Sequence, residues 1–209
     1  MTYDPIPAQG VGAERFDQPS LFYLTNRAII DEWHDLRSNV AEAVGEWCRS
    51  ALRDALEGPA LERGLRVAEA RGPGTYHHIV VCDPRTPVNG TKPVIGIGLA
   101  WPSKTVDPSN ASMFVGVRAS RNKTGKLAAA KLLDAGGREY RAADKTLHGT
   151  DDSAWPIFRY ISAGEEWWTD LDQLRDDVVR GILELADGLR EPLMAASTVE
   201  VVTGDDEDG

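Results

Sequence analysis

The sequence is short of the residues that staple a chain or anchor it in a membrane. It has two cysteines, Cys48 and Cys82, thirty-four positions apart. Neither a CxxC pair nor a Cys/His spacing suited to zinc is present, which excludes a disulfide scaffold and a zinc module. Both cysteines read as small buried hydrophobes. No apolar run approaches the eighteen residues that a membrane-spanning helix needs. Met1 to Gln18 has neither a basic start nor an apolar stretch, so no secretory leader is expected and a cytoplasmic protein is. Positive charge is the scarcer sign: 23 Lys and Arg stand against 33 Asp and Glu, for a net charge of −10. That balance excludes a surface that clings as a whole to nucleic acid or anionic lipid.

What is there suits one domain with its own core, since 42% of the 209 residues are hydrophobic. Residues 1–20 read as a loose N-terminal arm, 21–199 as a single domain, and 200–209 as an acidic tail. From Asn26 an apolar stripe recurs at steps of three and four: Ile29, Ile30, Trp33, Leu36, Val40, Val44, Trp47, Ala51 and Leu56. Gly58-Pro59 is expected to end this helix and a shorter one to run from Pro59 to Ala70. A stripe thirty residues long must lie on a sheet, another helix or a partner.

The period then changes. Tyr76–Cys82, Val94–Trp101 and Met113–Ala119 are short β-branched or aromatic runs with connections of about ten residues, which suit an antiparallel meander. Gly96 and Gly98 alternate with Ile95, Ile97 and Leu99, leaving one face of the central strand bare, with Gly116 continuing it. The favoured use of that face is close packing of the long helix; a shallow ligand groove is the alternative. Thr124 to Ala135 reads as helical and stops at Gly136-Gly137. Residues 138–153 look irregular, and Trp155 to Ile161 forms an extended edge piece because of Pro156. A final helix, capped by Thr169, carries Leu171, Leu174, Val178, Ile182, Leu185 and Leu189. The fold class is therefore α+β: a small antiparallel sheet of three to four strands covered by two long amphipathic helices and shorter ones.

Two charge anomalies locate the candidate sites. Between Asp107 and Asp134 there is no acid, but there are Arg118, Arg121, Lys123, Lys126 and Lys131. A strand followed by a polar loop with Gly125-Lys126 and then a helix is the setting in which a chain holds phosphate. The loop departs from the nucleotide-binding pattern, with Ser120 in place of the first glycine and Leu127 in place of Ser or Thr. A generic phosphate or nucleic-acid contact is the expectation, set against a solvated basic loop. The second anomaly is acid: Asp151, Asp152, Glu165, Glu166, Asp170, Asp172, Asp176 and Asp177, beside Trp155, Trp167 and Trp168. Helix-dipole complementarity explains part of it. An aromatic-acidic docking surface for a protein partner, built on Trp155, Trp167, Trp168, Asp170, Asp172 and Asp176, is the functional reading.

No catalytic set emerges. Asp83 closes a strand, but the next strand, Val-Ile-Gly-Ile-Gly-Leu, has no carboxylate or lysine where a metal-dependent nuclease would need them. His77 and His78 are adjacent on a strand and point to opposite faces. No metal site and no cofactor are expected. The expectation is a non-catalytic binding or accessory protein with a macromolecular protein partner and nucleic acid as the second partner class. An enzyme acting on a phosphorylated or nucleotide substrate and an acidic inhibitor that mimics DNA are the alternatives.

Overall fold

The structure, a computed structural model, describes residues 17–71, 76–89, 92–102, 113–161 and 170–202. The side chains of 21, 35–49, 69–71, 76–78, 101 and 102 lie outside that description, as do Trp167, Trp168, Thr169, most of the N-terminal arm and the acidic tail. The described elements make an α+β fold. Strands β1 (Arg66–Arg71), β2 (Tyr76–Cys82), β5 (Ile95–Pro102), β6 (Phe114–Ala119) and β7 (Ile157–Tyr160) form one sheet in that order, every neighbour antiparallel. Two-residue strands β3 (Val88–Asn89) and β4 (Lys92–Pro93) pair separately.

Helix α1 (Gln18–Glu62) is one unbroken helix of 45 residues, capped by Asp17, whose carboxylate accepts the Ser20 amide at 2.9 Å. The expected break at Gly58-Pro59 does not occur. Leu56 and Ala60 are fully buried on either side of Pro59, and their shared face in the core carries the helix across it. The end lies at Gly64, whose φ of 70° a side chain would strain, and the Leu65 amide closes back on the Ala60 carbonyl at 2.9 Å. The chain then enters a strand rather than the expected second helix: β1 places Val67 toward the main core and Ala68 on the other face beside Val80.

The remaining helices are α2 (Lys123–Leu132), α3 (Arg138–Ala143), α4 (Leu171–Gly188) and α5 (Arg190–Ala196). A wide turn, Leu133–Gly137, joins α2 to α3, with Gly136 at φ 112°. Helix therefore resumes after Gly136-Gly137, where irregular chain was expected. The cap of α4 is Asp170, which accepts the Gln173 amide at 2.9 Å. Its stripe Leu174, Val178, Ile182 and Leu185 is buried as the spacing predicts.

One face of the sheet (Ile79, Val81, Ile95, Ile97, Leu99, Val115, Val117 and Ile157) packs with Leu52, Leu56 and Ala60 of α1 and the inner faces of α2, α4 and α5 into one core. The glycines do not receive α1, which lies on the opposite face. A methyl group on Gly98 would stand 2.1 Å from the Ile79 carbonyl oxygen, and one on Gly116 would stand 2.5 Å from that of Ile157. The bare positions therefore admit neighbouring strands rather than a helix.

Candidate docking surfaces

The basic segment leaves the sheet at Ala119 and is locked by its own polar residues. The Asn122 side chain accepts the Gly125 amide at 2.8 Å, and its carbonyl accepts the Lys126 amide at 3.0 Å. Ser120, Asn122 and Thr124 are buried, and the Thr124 hydroxyl accepts the Val202 amide at 3.0 Å. Gly125 packs so tightly on Ser120 that a methyl group there would stand 2.1 Å from the Ser120 carbonyl oxygen. The amides of Gly125 and Lys126 are thus already engaged. Among the side chains, Arg121, Lys123, Lys126 and Lys131 are exposed around α2 with Leu127. Arg118 is half-buried and, two positions from Gly116, shares its face of the sheet, opposite the face that Val115 and Val117 give to the core. The five predicted cations are therefore split between two sides of the molecule. Arg121, Lys126 and Lys131 make no ion pair with any described residue.

Trp155 also sits on the face of the sheet opposite the helices of the main core. Its ring meets Phe114 edge-on at 4.8 Å; Phe158 and Tyr160 lie against Phe114 at 4.9 and 6.2 Å, and His148 lies against both. Pro156 opens β7, and His148 bridges its outer edge by exchanging two hydrogen bonds with Phe158, at 2.7 and 2.9 Å. Phe158 and Trp155 are half-buried, while Tyr160 is 55% exposed.

The predicted aspartates are elsewhere. Asp172 and Asp176 lie on α4, in the helix layer, and both bond the guanidinium of Arg175, at 2.8 and 2.9 Å. Asp177 accepts from Gln173 and Arg180, and Asp170 is committed to its cap. Trp155 and these acids therefore lie on opposite sides of the sheet, and the acids are offset by arginines within their own helix. A further acid, Asp151, accepts from Arg138 and Arg141 at 2.9 and 2.8 Å, and those bonds hold its carboxyl below the usual range. Asp83 is held low by a two-pronged bond from Arg85, at 2.9 and 2.7 Å. Among the described residues no group of three His, Cys, Asp or Glu side chains is placed to hold a metal ion, and no helix is long and apolar enough to cross a membrane.

Exposed apolar side chains also stand on α1, whose stripe the sequence assigns to a sheet, another helix or a partner. Among the described side chains of α1, those in the core belong to its C-terminal turns: Leu52, Leu56 and Ala60. At 1.5 Å per residue the helix is about 67 Å long. Among the described side chains of its N-terminal half, residues 18–34, none is buried. Phe22, Tyr23, Leu24 and Trp33 are 60, 45, 52 and 68% exposed. Phe22, Tyr23, Leu24 and Trp33 thus stand exposed on one helix. No protein family, curated protein or solved structure matches the chain, so these surfaces carry the functional reading on their own.

Proposed function

We propose that this is a non-catalytic binding protein that docks a protein partner, and that the first half of α1 is the docking element. The observation that carries this reading is Trp33, 68% exposed on a helix whose preceding turn presents Ile29 and Ile30 and whose first turns present Phe22, Tyr23 and Leu24. Phe22, Ile29, Trp33, Leu36 and Val40 fall at steps of seven, four, three and four, the spacing by which one helix lays a seam against another. The flanks are acidic: from Asp17 to Arg49 there are six carboxylates and three arginines, and Arg27 is already paired with Asp31 at 3.3 Å. The occupant is accordingly an amphipathic helix with basic flanks on a protein partner. The wall around Trp155 and Tyr160 is a second contact on the sheet; the α4 acids, already bonded to arginines, contribute less.

The test uses the full chain and two synthetic four-heptad helices with leucine seams, one flanked by lysine and one by glutamate. The lysine peptide should bind at low salt at least tenfold more tightly than the glutamate peptide, and Trp33→Lys should remove that binding. Equal binding of the two peptides, or binding indifferent to Trp33→Lys, overturns the proposal. So does a stable dimer of the chain that Trp33→Lys dissociates, because the occupant would then be a second copy.

A second reading has its own support. Arg121, Lys126 and Lys131, exposed and without acid partners among the described residues, suit a phosphate backbone, and the binding protein would then contact nucleic acid through α2.

A further inference from the structure

A cleft of about 350 Å³ opens where three distant segments meet: Arg63 to Leu65 after α1, Asp83 to Arg85 after β2, and the junction of α4 with α5. Its size is at the lower end of the range for small-molecule sites, about 300–1,000 Å³. The floor is apolar, supplied by Leu65, Ala186, Leu193 and Met194. The rim holds three guanidiniums and two carboxylates. Arg63 forks onto Asp187 at 2.9 and 3.0 Å, and Arg85 forks onto Asp83. Arg190 pairs with no described residue, and it leaves the lining with a net charge of +1.

We infer that this cleft is a binding site for an organic monocarboxylate with an apolar body. The two forked pairs cancel their own charges, so the site does not call for a polyanion. They retain unused N–H donors, because a guanidinium carries five. Arg190 supplies the uncancelled charge in the planar geometry that a carboxylate matches. Met194 lies one turn further along α5, on the same helix face and 43% exposed. A ligand with its carboxylate on Arg190 would lay its apolar part over Met194 and the floor, covering a side chain otherwise left in water. The forks also explain how three segments remote in sequence hold one shape: Arg63–Asp187 ties the end of α1 to the end of α4, and Asp83–Arg85 closes the turn beside them. This site lies on the C-terminal end of α1, away from the docking half, and stands independently of the proposed function.

The probe is octanoate, titrated calorimetrically into the full chain, with octan-1-ol and inorganic phosphate as comparisons. Octanoate should occupy one site, bind at least about tenfold more tightly than octan-1-ol, and lose about tenfold in affinity in Arg190→Gln. Met194→Glu, which places a like charge beside the carboxylate, should lose binding with the fold retained by circular dichroism. Equal affinity for octanoate and octan-1-ol overturns the inference, as does an unchanged affinity in Arg190→Gln. Phosphate binding more tightly than octanoate also overturns it, by showing a site for a small inorganic anion. No octanoate binding overturns it outright.

Discussion

Gly98 and Gly116 face each other across β5 and β6, and each lies under atoms of its other neighbouring strand. Around the β-carbon position of Gly98 are the Ile79 carbonyl at 2.1 Å and Val80 Cγ1 at 2.7 Å; around that of Gly116 are the Ile157 carbonyl and Phe158 Cβ, both at 2.5 Å. The sheet is therefore drawn together at its centre by the lack of two side chains. Gly98→Ala and Gly116→Ala should each destabilise the fold, by about 1–3 kcal/mol as overpacking of a close-packed site. Gly58→Ala supplies the comparison, since apart from its chain neighbours nothing lies within 4 Å of a methyl group there and the position is inside α1. The gain in helix propensity, about 0.5–1 kcal/mol, is offset by the crowding that Pro59 imposes on a preceding side chain, so stability should change little. Urea midpoints of the three variants check the contrast.

The same pair shows what the sequence could and could not disclose. Alternation of glycine with isoleucine marked a bare face, but a gap reads the same whether a helix or a strand will close it. The stripe of α4 was legible because Leu174, Val178, Ile182 and Leu185 all face one core. The stripe of α1 had the same period with a different fate, because periodicity records that a face is apolar and not what covers it. Strand β1 was hidden in Arg-Val-Ala-Glu-Ala-Arg, whose alanines and glutamate favour helix, and only pairing with β2 overrides them. The cleft was illegible because Arg63, Arg85 and Arg190 come from three parts of the chain.

Asp83 makes acid stability measurable at one side chain. Its carboxyl is held below the usual 3.8, chiefly by hydrogen bonds from the Arg85 side chain. A group with a lowered folded-state pKa contributes stability above its unfolded value and loses it as pH falls through the folded one. Asp83→Asn should therefore cost stability at pH 7, by about 1 kcal/mol because Arg85 is half exposed. The difference from wild type should shrink as pH drops below about 4 and vanish once Asp83 is protonated. Thermal melts of both proteins from pH 7 to pH 2 give the comparison; a constant difference across that range refutes the linkage.

Cys82 is fully buried at the end of β2, and burial pushes its thiol up to about 11. The thiolate is the reactive form, so the native protein should resist alkylation. In a Cys48→Ser background at pH 8, labelling of Cys82 by a disulfide reagent should run more than about a hundredfold slower than in urea. Fast native labelling would show that the face of Ala68, Val80 and Cys82 opens to solvent.

The capping geometry of α2 separates two ways in which the basic segment can meet phosphate. If helix amides made the contact, they would have to be released from Asn122, which now holds the amides of Gly125 and Lys126. If side chains make it, the cap is irrelevant to affinity and matters only for stability. The exposure of Arg121, Lys126 and Lys131 favours the second. Asn122→Ala should then cost about 1 kcal/mol of stability and leave the affinity for a fluorescent single-stranded oligonucleotide unchanged. Lys126→Gln should do the reverse, with little effect on stability. It should lower the slope of log affinity against log salt by about 0.7, the share of one phosphate contact on a single strand. Anisotropy titrations at several salt concentrations distinguish these outcomes, and an Asn122→Ala variant that binds more tightly would show that the freed Gly125 amide, rather than the lysines, is the anion site.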